Sequence, residues 1–378
     1  MIMSRDGGGG ARRLDPGLQA NVELCSEVKD GDFSDMAEAE AKRAAEAERL
    51  REEVLEQARE MEQRASEEKL PSVAQQMARK ALWHRGRARI LDFDPKREGT
   101  YYNRCYYVDH ATFDHDEESP LGPSRYTDPS NPRAKFFIPG GSVNIFSLKI
   151  VSLDVGFPIH VYGTLIARDC LDKKCVYLFR RDRDNCQVID SEDESLILTG
   201  PKRGLAVVND IYVETDLKVK DYGGQDRQLS KGILYIDSIA RRMLECKVES
   251  RSLATRLSMV EMVYGVVRRA VEAAMAIEVG RGDFDGEITA YTTSIQNRFV
   301  LYDSKVAGDM TYDGNGVIQL MRPVISVYLE DMLIVAAKTA DGKCEHKFTP
   351  AVNGEDYNDI IVGATEMRMK VTWSLIHA

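Results

Sequence analysis

The chain has no apolar run long enough to cross a bilayer as a helix, which requires about 20 residues. It has no excess of basic residues either. A formal charge of −10 argues against a general affinity for nucleic-acid phosphates. Its opening, Met1-Ile-Met-Ser-Arg-Asp-Gly-Gly-Gly-Gly, lacks the apolar core of a secretion signal. Histidine is sparse, with six residues, and tryptophan scarcer still, with Trp83 and Trp373 alone. No Gly-x-Ser-x-Gly, His-Glu-x-x-His or phosphate-loop pattern is present. The seven cysteines are odd in number and irregularly spaced, so reduced thiols in the cytoplasm or nucleus are expected.

What is present is a repeat. Gly163-Thr-Leu-Ile-Ala167 matches Gly286-Glu-Ile-Thr-Ala290, and Val176-Tyr-Leu-Phe179 falls on Phe299-Val-Leu-Tyr302. With small slips, Leu196-Ile-Leu198 and Pro201 fall on Ile318-Gln-Leu320 and Pro323. Asp210-Ile-Tyr-Val213 then falls on Asp331-Met-Leu-Ile334. Apolar strand pattern and turn residues recur, rather than reactive side chains, which predicts a duplicated supersecondary unit.

The organisation follows from composition. Residues 1–33 are Gly-rich and polar and are expected to be disordered. Residues 34–89 are expected to be a charged helical arm, either a solvated helix or a weak coiled-coil surface, with Pro71 dividing it. After Pro71, Val73, Met77, Ala81 and Leu82 share one face, and Arg79, Lys80, Arg85, Arg87 and Arg89 make the stretch basic around Trp83. Those residues suit either charge balance with the preceding acidic helix or contact with RNA or an acidic partner. Residues 90–141, rich in Tyr, Pro and Asp, read as a linker.

From Ser142 short alternating strands separated by turn residues predict a mainly β fold. Two antiparallel sandwich-like units are expected, at 142–268 and 269–378. The stretch 253–278 suits helix or strand, and its alternation favours strand.

Longer phrases add a resemblance. Asp116-Glu-Glu-Ser-Pro-Leu-Gly-Pro123, Val161-Tyr-Gly-Thr-Leu-Ile-Ala-Arg-Asp169, Tyr177-Leu-Phe-Arg-Arg-Asp-Arg-Asp-Asn-Cys186, Gln228-Leu-Ser-Lys-Gly232 and Val300-Leu-Tyr-Asp-Ser304 resemble a cereal-grass family. That family carries a C-terminal domain of unknown function, similar to the C-terminal portion of jasmonate-induced ribosome-inactivating proteins. The resemblance covers about residue 90 onward and implies a stress association, with no catalytic residues to carry over. It also implies a check for the toxin's Glu-x-x-Arg pair. Glu40/Arg43, Glu46/Arg49, Glu48/Arg51 and Glu56/Arg59 lie in the charged helix, where they read as ion pairs on its face. Glu278/Arg281 runs into Gly280-Arg-Gly282 and reads as a strand end. The chain thus resembles the family's appended domain without the toxin domain.

His110 and His115, in an acidic stretch, need a loop to converge on a metal. Cys170, Cys175 and Cys186 lack the spacing of a zinc ribbon. Phe179–Asp184 reads as a charged hairpin end and Asp190–Ser195 as an acidic loop. No catalytic, cofactor-binding or metal-binding residue is assigned. The expected function is a non-enzymatic module that binds a protein partner. Neither membrane nor nucleic acid is expected as a partner, and the alternative is an enzyme with a dispersed pocket acting on RNA.

Overall fold

The computed structural model describes residues 33–67, 71–125, 139–208, 210–237, 246–307 and 316–376. The stretch expected to be disordered, 1–33, lies outside these apart from Phe33. The chain divides into Met1–Lys42 and Arg43–Ala378. Helix α1 spans Phe33–Glu67 and helix α2 spans Pro71–Ile90. The described residues are mainly β, with helix confined chiefly to the N-terminal part.

The first β unit holds β3 (Gly141–Leu153), β4 (Ile159–Arg168), β5 (Val176–Arg181), β6 (Gln187–Ile189), β7 (Leu205–Val207), β8 (Ile211–Val219), β9 (Arg227–Ile236), β10 (Lys247–Thr255) and β11 (Ser258–Val267). One sheet runs β10, β11, β3, β7. The other runs β5, β4, β8, β9, with β6 on β4. The second unit holds β12 (Ala270–Arg281), β13 (Gly286–Thr292), β14 (Phe299–Asp303), β15 (Val324–Tyr328), β16 (Leu333–Thr339), β17 (Lys343–Phe348), β18 (Asn353–Val362) and β19 (Thr365–Leu375). Its sheets run β18, β19, β12, β15 and β14, β13, β16, β17. Apart from the extra strand β6, the strand orders are the same. The ambiguous stretch 253–278 is strand.

The repeat extends to individual hydrogen bonds. Thr199 N donates to Leu178 O (2.8 Å) and Met321 N to Leu301 O (2.7 Å). Leu196 N donates to Leu148 O (2.9 Å) and Ile318 N to Ile277 O (2.8 Å). The paired glycines have a steric cause. A Cβ on Gly163 would lie 2.1 Å from Asp216 O, and one on Gly286 2.1 Å from Lys338 O. No side chain fits there, so glycine stands in both copies. The register also corrects one step of the alignment. Ala167 pairs with Val213 and Ala290 with Val335, so Val213 corresponds to Val335 rather than to Ile334. A slip of one residue would have turned every side chain to the other face.

Each unit has its own core. Ile145, Leu148, Leu165, Leu178 and Val260 lie in the first. Ile277, Leu301, Met369 and Trp373 lie in the second. Trp373 is fully buried, and its Nε1 donates to Asp356 Oδ2 (2.7 Å), so the ring packs without an orphaned donor. Leu178 and Leu301 are both 0% exposed. Leu301→Ala should lower stability in urea unfolding by ~2–5 kcal/mol, through lost burial and the cavity left behind. A neutral result would mean that this site collapses freely.

Simple alternation fails on β3. A bulge lies between its pairings Ile145↔Tyr264 and Ser147↔Val263. Val143 and Ile145 face the first core before it, and Leu148 and Ile150 after it. The residues left over, Asn144 and Phe146, turn toward the second unit. Phe146 joins the second core, its ring centroid 4.8 Å from that of Phe299. The Asn144 amide pairs with the Ser326 backbone, Nδ2 donating to O (2.7 Å) and Oδ1 accepting from N (3.0 Å). Arg322 donates to Gly200 O (2.9 Å), Phe146 O (3.2 Å) and Ile145 O, and its guanidinium lies 4.7 Å from the Phe299 ring centroid.

The described part of the stretch expected to be a linker, residues 90–125 and 139–141, packs on the first unit instead of standing off as a spacer. It begins with β1 (Leu91–Asp94) and β2 (Gly99–Tyr102), an antiparallel pair. It continues across the first unit, anchored by Tyr101 Oη donating to Lys231 O (2.7 Å) and Arg256 N donating to Asp94 Oδ2 (2.7 Å). Ser119 N then donates to Cys175 O (2.9 Å). Helix α2 packs against this segment so closely that a Cβ on Gly86 would sit 2.1 Å from His110 O. Its buried residues include Ala81, Ala88 and Ile90, whereas Leu82, expected on the apolar face, is 47% exposed. Ala58 of α1 is 0% exposed, and Glu62 pairs with Arg85, so this part of the helix is more than a solvated arm.

Candidate functional site

The outward residues of β4 and β8 carry charge, which a solvated sheet face tolerates. Here the face is covered by residues 103–119, so those charges must be paired. Glu214 is 3% exposed. Its Oε1 accepts from Arg168 Nε (2.7 Å) and from Cys105 N (2.7 Å). Its Oε2 accepts from Arg168 Nη2 (3.0 Å) and Arg104 Nε (3.1 Å). Arg104 Nη1 donates to Asp116 Oδ1 (2.6 Å) at the rim. Both arginines also donate to His115 O, and Arg168 Nη1 donates to Lys173 O (2.9 Å). Burial alone would raise the Glu214 carboxyl. Arg168 and Arg104 outweigh it and hold the group below the usual carboxylate range.

The carboxylate at the centre of this cluster is fully occupied. Burial, with Glu214 nearby, pushes the Cys105 thiol up to about 11, and burial also raises Cys175. Neither offers a thiolate at neutral pH. Burial lowers His110 and His115, which are therefore neutral at pH 7. His115 Nε2 lies 2.9 Å from Cys105 O. The loop does bring the two imidazoles together, stacked with centroids 5.9 Å apart. His110 is 6% exposed beside Trp83. Among the described residues no group of His, Cys, Asp or Glu could hold a metal ion.

Beside the cluster runs a strip of aromatic rings and arginine. The Arg87 guanidinium lies 5.4 Å from the Trp83 ring and 5.3 Å from Tyr102. Tyr102 stacks on Tyr106 (4.9 Å), which lies 4.3 Å from Tyr107. Tyr212 sits 6.1 Å from Tyr107 and 5.5 Å from Tyr235. Tyr107 is 56% exposed and Tyr235 42%. The bordering helix α2 carries five Lys or Arg residues and no Asp or Glu.

The remaining sequence candidates scatter. Cys170 Sγ lies 3.7 Å from Ala206 O, Cys175 Sγ 3.1 Å from His115 O, and Cys186 Sγ 3.9 Å from His160 Nδ1. Glu278 and Arg281 lie exposed on β12, with Arg281 3.8 Å from Glu366. On α1, Arg49 pairs with Glu53 (3.2 Å) as an ordinary helix-face ion pair. Arg180 stacks on Tyr177 (4.6 Å) and Arg183 pairs with Asp226 (2.7 Å), closing the charged hairpin end. In the acidic loop, Asp190 N donates to Glu194 Oε2 (3.2 Å). Pairwise spacing did not reveal Glu214, Arg168 and Arg104, because they converge across sequence separations of 46 and 110 residues. A signal was present in the repeat. At the equivalent places the second unit has Ala336 and Tyr291, so the charges belong to one copy alone.

No helix among the described residues is long and apolar enough to cross a membrane. No curated protein matches the chain in sequence. Among solved structures, the human GIVD cytosolic phospholipase A2 aligns at 10% identity and a TM-score of 0.24, over 64% of this chain and 31% of that one. A pair of C2 domains from Extended-Synaptotagmin 2 aligns at 11% identity and a TM-score of 0.23, over 70% of this chain and 99% of that one. Likenesses this distant carry no inference. Residues 142–371, more than half of the chain, match the family described as a domain of unknown function, DUF6598, and the chain belongs to that family.

Proposed function

We propose that the chain is a non-enzymatic module that binds a protein partner through the tyrosine–arginine strip. The observation that supports it is the run of half-buried Trp83, Tyr102 and Tyr106 with exposed Arg87, Tyr107 and Tyr235, beside a helix without acidic residues. Tyr, Trp and Arg dominate binding hot spots, because they bury large area at little entropic cost. The positive charge that α2 keeps at Lys80, Arg87 and Arg89 favours an acidic segment as the occupant. RNA fits less well. Arg79 is paired with Asp109 and Arg85 with Glu62, and the whole chain is negative. An enzyme with a dispersed pocket, the alternative, would need an activated nucleophile, and burial holds the Cys105 and Cys175 thiols beside the strip protonated. The stress or defence association, grass origin and cytoplasmic or nuclear residence belong to this proposal through the phrase-level resemblance alone.

The test is fluorescence anisotropy with Asp/Glu-rich peptides carrying an apolar anchor, set against single-stranded RNA. Peptide binding should be saturable, and Tyr107→Ala should weaken it at least about tenfold. Preference for RNA, or peptide binding unchanged by Tyr107→Ala and Arg87→Ala, would overturn the reading.

A further inference from the structure

The segment 103–119 holds two histidines against helix α2 and the outer face of β4 and β8. His110 is buried and His115 half-buried, and their rings stack with centroids 5.9 Å apart. Trp83 of α2 meets His110 edge on at 5.3 Å, and Phe113 meets His115 edge on at 5.0 Å. The packing has no slack, because the His110 carbonyl already fills the place that a Gly86 side chain would take.

An imidazolium carries a hydrogen on both ring nitrogens. His110 Nδ1 has no hydrogen-bond partner among the described residues, so a hydrogen there would be buried without an acceptor. His115 Nε2 donates to Cys105 O (2.9 Å), since a carbonyl only accepts, and the added proton would therefore go to Nδ1. The charged groups that face His110 are Arg87 of α2, Asp109 and the other histidine. Those that face His115 are Arg104 and Asp116 of the same segment, Arg168 of β4 and Glu214 of β8. His84 lies against Trp83, and the Cys105 and Cys175 thiols stay protonated.

Every carboxylate in that set is committed. Asp109 holds Arg79 (2.6 Å), Asp116 holds Arg104 (2.6 Å), and Glu214 holds Arg168 (2.7 Å) and Arg104 (3.1 Å). A new positive charge therefore meets the guanidiniums of Arg87, Arg104 and Arg168 with no carboxylate among these groups left over to balance it. Burial, helped by these cations, holds both rings below the unfolded value of about 6.5. The folded segment thus binds fewer protons than the unfolded one. The stabilisation is complete above that pH and is lost as pH falls through the folded values. We propose that the stacked His110–His115 pair is an acid-operated latch, whose protonation loosens residues 103–119 from α2, β4 and β8. The same segment carries Tyr106 and Tyr107, so on the partner-binding reading above, on which this consequence rests, acid also disarms the strip.

The experiment is hydrogen exchange of the full chain, read by mass spectrometry as protection factors at pH 7 and pH 5.5, so that the intrinsic pH dependence of exchange cancels. Residues 103–119 should lose protection at least about tenfold on acidification, while β12 and β19 keep theirs within about twofold. In His110→Gln/His115→Gln, whose side chains do not titrate, the loss should shrink to about threefold or less. Should that variant fail to fold, NMR titration of the native imidazoles decides. Both midpoints should lie below about 6.5 and coincide with the loss of protection. Unchanged protection of 103–119 between the two pH values would overturn the proposal. So would a loss as large in the double variant as in the native chain, which would assign it to carboxylates, or imidazole midpoints above about 6.5. No peptide ligand enters these measurements, so the latch stands or falls apart from the partner-binding reading.

Discussion

Replacing Arg322 by alanine should destabilise the protein by at least about 3 kcal/mol, because it strips the donors from three buried carbonyls at about 1–3 kcal/mol each. Those carbonyls belong to Gly200, Ile145 and Phe146 of the first unit, whereas Arg322 sits just before β15 of the second. The residue is 4% exposed, and burial pushes its pKa down to about 9, so it remains charged at pH 7. Carbonyl dipoles and the Phe299 face hold that charge in place of a carboxylate. Arg322→Met separates charge from hydrogen bonding. It restores volume and removes the cation, yet leaves the carbonyls without donors, so it too should be destabilised in urea unfolding at pH 7. A methionine variant as stable as the native chain would show that the clamp contributes nothing net, as some buried charged groups do.

Glu214→Ala should cost about 3–5 kcal/mol, the penalty for leaving a buried partner charge uncompensated. Arg168 is fully buried, and among the described residues it pairs with no other carboxylate, while Arg104 retains only Asp116 at the rim. The pH dependence follows from the sign of the shift. The folded Glu214 carboxyl titrates below its unfolded value of about 4.3, so its stabilisation is complete above that pH. It is lost as pH falls through the folded value. The gap between native and Glu214→Ala should therefore be full at pH 7 and narrow toward acid in denaturant titrations. Equal stability at pH 7 would mean that the cluster is not a staple. A gap that widened toward acid would mean that the carboxyl is held in its neutral form.

The sandwich fold was legible where physics acts locally. Gly163 and Gly286 recur because a cross-strand carbonyl excludes any side chain. Leu178 and Leu301 sit in matching apolar runs and are both buried. Alternation misled at β3, because one bulge inverts the inward parity and both faces of that strand are buried. Residues 90–125 looked like a linker because their burial is polar. Asp94, Asn103, His110 and Ser119 are buried through hydrogen bonds and close packing rather than an apolar period, and composition does not reveal such partners. The same limit hid the charged cluster. Glu214 and Arg168 read as ordinary outward strand residues until the segment carrying Arg104 and Cys105 closes over them.

The joint between the units has a direction. The surfaces that meet are not equivalent. Asn144 and Phe146 of β3 face Ser326 and Arg322, while the first copy has Gly200 where the second has Arg322. A head-to-tail contact of that kind would in principle let copy follow copy without end. Here the first copy supplies the socket and the second the plug. At Gly200 a Cβ would already lie 2.0 Å from Tyr177 O, so the first copy has no room to grow a plug of its own. The joint therefore runs one way: the backbone of the first copy receives the arginine of the second, and the two copies could not exchange places.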